Sequence, residues 1–200
     1  MIDVQRIRTL HESAVQRWHH EPIDNPYDGI WSIICTQHSY NFLLWHEEDI
    51  ARSHDVTDQR IADVKRAIDK YNQQRNDWIE KIDDWLTGYL AEARIAPRQD
   101  APLNTETPGS TIDRLSILSL RIYHLREQLE RTDVDAQHVN SVEQKIAICC
   151  LQQADLLQSL AELLRDIEAG DKRHRTYRQL KMYNDPTLNP YLYRTQRKAG

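Results

Sequence analysis

The sequence predicts an all-α protein: an antiparallel helical bundle with two long heptad-patterned helices, two shorter partners, an N-terminal helix and a C-terminal extended segment. Two stretches, at about 57–94 and 134–169, carry sustained heptad patterns of apolar residues. The composition, with only 5 Gly and 1 Phe in 200 residues, favours helices over sheets. A single long loop, at 95–109, divides the helices into two halves, as in a bundle.

The N-terminal part predicts two helices joined by a loop. A first helix over 3–20 places its apolar residues on one face, and the loop 21–29 is rich in turn-forming residues. A second helix, at about 30–53, begins apolar on nearly all sides, which is typical of a buried helix. Polar residues then interrupt its buried stripe and mark a candidate pocket: His38, Asn41, Glu48 and the adjacent Asp49.

The first long helix is predicted over about 57–94 and would be roughly 54 Å long. Its heptad pattern misses once, at Arg75, which is flanked by Asn72 and Asn76. A buried Arg needs a counter-charge, so this fault predicts a polar cluster inside the bundle. The pattern is otherwise apolar: Ile61, Val64, Ile68, Tyr71, Trp78, Ile82, Trp85 and Tyr89.

The second half predicts a shorter helix followed by the second long one. Ser110 is the predicted N-cap of the shorter helix, with Asp113 three residues later and Arg114 beside it. Asp113 therefore has two interpretations, a helix-capping carboxylate or a member of the Arg75 cluster. The second long helix is predicted over 134–169, with Gly170 just after its end.

The last thirty residues differ in charge from the rest of the chain. Residues 171–200 hold eight Lys and Arg but two acids, although the whole chain has a net charge of −5. We predict a bundle domain over 1–170 and a basic segment, 171–200, packed on its acidic surface. A nucleic-acid-binding strip is the weaker interpretation of the segment, so nucleic acid is disfavoured as a partner. Its members would be Lys172, Arg173, Arg175, Tyr177, Arg178, Lys181 and Tyr183.

Composition also excludes several classes of protein. No apolar run reaches the ~20 residues of a membrane span, and no signal peptide is visible, which together predict a cytoplasmic protein. The three cysteines, Cys35, Cys149 and Cys150, lie in apolar helical patterns and are expected to be reduced and buried. The isolated glycines form no phosphate-binding loop.

Four motifs in order resemble the bacterial "domain of unknown function 4254" family, over about residues 27–193. They lie at 44–52, 65–77, 106–118 and 182–190, and include Leu44-Trp-His-Glu-Glu-Asp49 and Thr107-Pro-Gly-Ser-Thr-Ile-Asp113. The resemblance implies a cytosolic, all-helical bacterial protein, some of whose relatives have genes near those for surface-polysaccharide assembly. It implies no activity.

The first functional hypothesis is a binding or accessory module with a polar pocket. The guanidinium of Arg75 would bind an anionic small molecule, because its donors suit phosphate or carboxylate. The alternative is a structural network in which Glu48, Asp49 or Asp113 compensates Arg75. The heptad patterns are equally compatible with a protein partner or a homo-oligomer. The predicted site residues are His38, Asn41, Glu48, Asp49, Asn72, Arg75, Asn76, Asp113 and Arg114.

The second hypothesis is a divalent-metal-dependent hydrolase or transferase of helical-bundle type. Such enzymes hold an ion with carboxylate or histidine pairs spaced three residues apart on facing helices. The candidate pairs are His46 with Asp49, Asp77 with Glu80, Glu80 with Asp83, and His124 with Glu127. Pairs at this spacing also arise by chance in an acidic helical chain, so the sequence assigns no residue as a metal ligand.

Overall fold

The computed structural model of this protein describes residues 2–180, 182 and 185–192. Five helices form the described part of the bundle and confirm the predicted all-α class. They are α1 (Val4–Trp18), α2 (Gly29–Arg52), α3 (Asp58–Glu92), α4 (Pro108–Leu129) and α5 (Ala136–Glu168). The predicted nucleic-acid residues Lys181 and Tyr183 and the end of the chain, 193–200, lie outside the described residues.

The long helices begin at side-chain caps close to the predicted limits. Thr57 accepts a hydrogen bond from the Arg60 amide at the start of α3, and Asp135 accepts one from the His138 amide at the start of α5. Gly170, just after α5, has a φ of +76°, a conformation that glycine adopts without strain.

The prediction that Ser110 caps α4 is wrong. The helix begins earlier, at Pro108, and its N-cap is Thr107, whose hydroxyl accepts from the Ser110 amide while Ser110 accepts from the Thr107 amide. Proline is well suited to this first helical position, because the amide it lacks would have no partner there. The reciprocal bonds form a capping box. Asp113 therefore lies inside the helix and is not part of the cap.

The helices form two hairpins that share one core. The most extensive packing is between α2 and α3 and between α4 and α5. Helix α1 packs on both α4 and α2, and α3 also contacts α4. The largest fully buried side chains come from all five helices, so that a single core joins both hairpins. They include Ile7, Ile34, Ile82, Ile112, Leu115, Leu120 and Leu160.

The cysteines are free, but their burial differs from the prediction. Cys35 and Cys149 are buried, whereas Cys150 is exposed, because α5 contacts its neighbours on one side and adjacent residues of a helix point about 100° apart. Burial raises the pKa of the Cys35 thiol to about 12, so this sulfur is protonated at neutral pH and is a poor nucleophile.

Residues 174–179 of the basic segment lie along α3. Arg178 makes ion pairs with Glu80 and Asp84, and the Gln179 amide donates to Glu80 at 2.6 Å. His174 bonds the Asp83 carbonyl at 2.9 Å. Opposite charges thus meet where the segment follows the acidic outer face of this helix. Among the described residues, no helix is both long and apolar enough to cross a lipid bilayer.

Candidate functional site

Asp113 is a buried carboxylate at the point where α2, α3 and α4 meet. Its Oδ1 accepts hydrogen bonds from Gln37 at 2.6 Å, from Asn41 at 2.9 Å and from Nε of Arg75 at 2.7 Å. Its Oδ2 accepts from Nη2 of Arg75. Each bond stabilises the ionised carboxylate away from water, so that Asp113 holds the three helices in register.

Arg75, which interrupts the apolar heptad pattern of α3, pairs with Asp113. Two parallel donors, Nε and Nη2, bind the two carboxylate oxygens in the bidentate geometry that a guanidinium favours. The bond to Asp113 raises the pKa of Arg75 above its usual value. The side chain of Arg75 remains 26% exposed, and within the described residues Nη1 makes no hydrogen bond. Asp113 thus compensates the charge and leaves one edge of the guanidinium unused.

His38 and Asn41 form the buried layer beneath this pair. Nδ1 of His38 lies 2.6 Å from the Ser116 hydroxyl, and its Nε2 lies 3.2 Å from the His11 carbonyl. Asn41 donates to both Ser116 and Asp113 at 2.9 Å. The carbonyl can only accept, so Nε2 of His38 carries the proton and Nδ1 accepts from Ser116. The ring is therefore held as a neutral imidazole.

The burial of His38 makes stability depend on pH. Burial, only partly offset by the bond to His11, lowers the pKa of His38 to about 3, whereas an unfolded histidine titrates near ~6.5. The unfolded chain therefore binds a proton that the folded protein excludes, and stability is lost as the pH falls from 6.5 towards 3. We expect His38 alone to lower the free energy of unfolding by about 2 kcal/mol between pH 7.5 and pH 5.

Urea unfolding of the wild type and of His38→Gln at these two pH values measures that contribution. The variant keeps a polar side chain but cannot titrate, so its pH dependence should be smaller by about 2 kcal/mol. An identical pH dependence in the two proteins would show that His38 is not the group responsible.

A cleft of about 420 Å³ lies above this network, between α2, α3 and α4. Arg75 and Asn41 lie at one side, and Glu48 at its edge is paired with Arg52 at 2.9 Å. The cleft brings together several of the predicted site residues with apolar ones from α2 and α4. Its lining is Asn41, Leu44, Trp45, Glu48, Asp49, Arg52, Asn72, Arg75, Ile117 and Leu120.

Four predicted site residues do not line the cleft: Asp113, which lies in the buried network described above, and three others. His38 is fully buried beneath the cleft, and Asn76 donates to the Asn72 carbonyl within α3. Arg114 is exposed and lines a neighbouring groove between α4 and α5, which shares Ile117 with the cleft and also includes Arg121 and Asp155. The separation follows from helix geometry, because Arg114 is turned by about 100° from its neighbour Asp113.

A second polar centre, which we call the histidine cluster, comprises His19, His46 and His124. These residues come from the C-cap of α1, from α2 and from α4. One nitrogen of each ring lies within 4.8 Å of one nitrogen of each of the others, and all three residues are half-buried. No other group of three His, Cys, Asp or Glu side chains in the described residues has this spacing.

Hydrogen bonds fix the tautomers of two of these rings. Nδ1 of His19 lies 2.7 Å from the Val15 carbonyl, and Nδ1 of His124 lies 2.6 Å from the Glu127 carboxylate. Both acceptors require a proton on Nδ1, so that in the neutral ring the lone pair lies on Nε2. Both Nε2 atoms are buried without a hydrogen-bond partner in the described residues. A protein rarely leaves two desolvated lone pairs together without something to bind them.

Aromatic rings and carboxylates surround the histidine cluster. The Trp45 indole stacks on His124 with ring centroids 4.8 Å apart, and Tyr123 stacks on His19 at 4.1 Å. Burial, followed by the charges that His19 and His124 would carry, lowers the pKa of His46, and Asp49 and Glu127 oppose this effect. His46 therefore favours the neutral imidazole, which is the form that coordinates metals.

The sequence hypothesis contained parts of this cluster but did not assemble it. It paired His46 with Asp49 and His124 with Glu127 as candidates, whereas His19 lay within the predicted first helix, 3–20, without being a candidate ligand. The signal was present, since histidines three residues before a carboxylate occur on both α2 and α4. What the sequence lacked was the crossing of α1 over α4, which brings His19 to the other two.

The other predicted carboxylate pairs have protein partners. Asp77 accepts from Gln73 at 2.7 Å, Glu80 binds Arg178, and Asp83 accepts from the Gly109 amide at 2.8 Å. Their charges and lone pairs are thus used in holding the bundle and the C-terminal segment together. They do not gather with the histidines.

Comparison with known proteins supplies a family but no function. Residues 31–176 match the family described as "Protein of unknown function (DUF4254)", so the match covers most of the chain and ends before the last of the four motifs. No curated protein and no solved structure matches. Three of the motifs that carried the resemblance, at 44–52, 65–77 and 106–118, lie inside the matched range, and they supply Asp49, Arg75 and Asp113. The chain therefore belongs to the DUF4254 family.

Proposed function

We propose that this protein binds a divalent transition metal in the histidine cluster and acts as a metal-dependent hydrolase. The observation that carries the proposal is the approach of one ring nitrogen each of His19, His46 and His124 to within 4.8 Å, together with the two buried Nε2 atoms, on His19 and His124, that have no hydrogen-bond partner in the described residues. Neutral imidazoles from three helices are the ligands of an open zinc-type site, which has three protein ligands and one exchangeable position.

The chemistry of the ligands selects the class of metal. Imidazole nitrogens suit Zn²⁺, Cu²⁺, Ni²⁺ and Fe²⁺, whereas Mg²⁺ and Ca²⁺ prefer oxygen ligands. In a tetrahedral zinc site the ligand nitrogens are about 3.3 Å apart. The nitrogens here, within 4.8 Å of one another, would reach that spacing through small rotations of the rings.

The surroundings of the cluster also favour a cation. Glu127 binds Nδ1 of His124, which is the carboxylate–histidine arrangement that orients a metal ligand and raises its basicity. The Val15 carbonyl has the same role at His19. Asp49 acts electrostatically on His46 and lies one helical turn after it. Two carboxylates thus offset the charge that a divalent ion would bring.

An open three-histidine site has a defined chemical capacity. The metal would act as a Lewis acid and lower the pKa of a bound water, which would serve as a nucleophile near neutral pH. Asp49 is the nearby carboxylate that could hold or accept a proton at such a water. The anion-binding role predicted for Arg75 belongs to the same proposal, because Trp45 borders both the cleft and the cluster.

Titration of chelator-treated protein with ZnCl₂ tests the proposal by calorimetry and by thermal unfolding. We expect one zinc ion per chain, and at a zinc concentration of about 100 Kd a rise in Tm of roughly 5–10 °C. His46→Ala and His124→Ala should weaken binding at least about 100-fold because each removes a ligand. Glu127→Gln should weaken it by about 10–100-fold, since it removes the group that orients His124.

His20→Ala is the matched control. His20 follows His19 in the chain and is exposed, so its removal tests for non-specific binding by surface histidines. Zinc affinity should be unchanged in this variant. The proposal would be wrong if the wild type bound no stoichiometric zinc, or if its affinity survived the loss of His46 and His124.

A further inference from the structure

We infer that the cleft is the substrate pocket of the metal centre, and that it takes an elongated small molecule with an oxyanion at the end remote from the metal. This inference rests on the proposed function and adds the class of substrate to it. The molecule would place a carboxylate or phosphate group on Arg75, an apolar chain over α4, and its reacting group at the histidine cluster.

Two residues of α4 line the cleft, and along the helix they lie between Asp113 and His124, which do not line it themselves. Asp113, Ile117, Leu120 and His124 follow one another at steps of four, three and four, so they lie on one line of the helix. Ile117 and Leu120 line the cleft, while the ends of this line are the partner of Arg75 and a member of the histidine cluster. At 1.5 Å per residue the ends are about 16 Å apart along the helix.

The residues of α2 that line the cleft follow the same order, from the Arg75 end to the metal end. Asn41 lines the cleft and donates to Asp113, so it marks the Arg75 end. Trp45, one turn later, lines the cleft and stacks on His124, so it marks the metal end. Asp49, a further turn along, lines the cleft and lies three residues after His46 in α2. The Arg75 end therefore comes before the metal end along both α4 and α2.

The Arg75 end has the features of an oxyanion site. Asp113 fixes the guanidinium through Nε and Nη2, so its orientation costs no further side-chain entropy when a ligand binds. The remaining N–H groups of Nη1 suit a carboxylate or phosphate oxygen. Because Asp113 neutralises the charge of Arg75, an anionic group would be recognised there through directed hydrogen bonds. Glu48 opposes an anion less than its charge suggests, because it is paired with Arg52.

The middle of the cleft is apolar. Leu44, Ile117 and Leu120 lie between the two ends, and the indole of Trp45 completes this surface. The three aliphatic side chains offer no hydrogen-bond partner to hydroxyl or amide groups. A hydrocarbon segment is therefore the best match for the centre of the bound molecule.

A series of straight-chain dicarboxylates tests this arrangement in the zinc-loaded protein. Succinate, adipate, suberate and sebacate are titrated by calorimetry beside the monocarboxylates hexanoate and octanoate. One carboxylate binds the zinc in each case, and only a dicarboxylate of matching length also reaches Arg75. We expect suberate, whose length best matches the separation of the two ends, to bind at least about tenfold more tightly than octanoate, because the second contact is intramolecular. Phosphonohexanoate, compared with pimelate, distinguishes a phosphate-type head group from a carboxylate.

Arg75→Lys tests the role of the guanidinium while keeping a positive charge beside Asp113. The dicarboxylate advantage should disappear in this variant, since an ammonium group lacks the planar fork of donors, whereas zinc affinity should be unchanged. Arg114→Lys is the matched control and should retain the advantage, because Arg114 lines the neighbouring groove and not the cleft. Zinc binding without any preference for dicarboxylates, or a preference that survives Arg75→Lys, would overturn this inference and leave the metal site intact. Failure to bind zinc would overturn both.

Discussion

Asp113→Ala is expected to destabilise the protein by about 3–5 kcal/mol. The side chain of Asp113 is 6% exposed, and its removal leaves the guanidinium of Arg75 in the bundle without a counter-charge. The amides of Gln37 and Asn41 also lose their acceptor, and unsatisfied buried donors carry a desolvation cost. The free energy of unfolding, measured in urea at pH 7.5, reports this change.

A double-mutant cycle isolates the contribution of the ion pair. In Arg75→Met, Asp113 keeps the donors from Gln37 and Asn41, so this variant should be less destabilised than Asp113→Ala. The double variant should be more stable than the sum of the two changes by about 1–3 kcal/mol, since each single change leaves the other partner unpaired. Additivity within about 0.5 kcal/mol would show that the pair does not stabilise the bundle.

Asp63→Ala provides the surface control for this cycle. Asp63 pairs with Arg66 on the outside of α3, where the two side chains are 50% and 72% exposed. Exposed pairs of this kind contribute about 0–1 kcal/mol. The contrast with Asp113 tests whether burial decides the cost of losing a carboxylate that binds Arg.

Much of the fold could be predicted because helix periodicity is a local property. The apolar positions of α3 and α5 repeat within each helix, so their existence and approximate ends needed no tertiary information. The start of α4 was misassigned because Thr107, Ser110 and Asp113 all have side chains suited to capping. The choice of Thr107 depends on Pro108 occupying the first helical position.

The two polar centres differ in how far they could be predicted. Arg75, Asn41 and Asp113 could be grouped because each interrupts or adjoins an apolar stripe, and a buried Arg requires a carboxylate. Gln37, which also binds Asp113, follows an apolar run and gave no such signal. The histidine cluster depends on the crossing of three helices, and crossing geometry is set by side-chain packing throughout the core.

Gly109→Ala is expected to destabilise the protein by about 2–3 kcal/mol. A Cβ at this position would lie 2.6 Å from the backbone carbonyl of Ile79 and 2.9 Å from the carboxyl group of Asp83. The carbonyl belongs to α3 and cannot rotate away, so α3 and α4 would have to separate where the Gly109 amide donates to Asp83. Urea unfolding measures the loss, and the Arg75–Asp113 contact between the same helices should weaken with it.

Gly88→Ala is the matched comparison, and its effect should have the opposite sign. Gly88 lies within α3, and a Cβ there would meet no atom within 4 Å. The substitution adds helix propensity without a clash, so it should stabilise the protein by about 0.5–1 kcal/mol. Comparing the two substitutions thus separates the effect of backbone entropy on stability from the effect of close packing between two helices. A stabilising effect at both positions would mean that α3 and α4 are not in contact at Gly109, and that the geometry which places Asp113 against Arg75 is wrong.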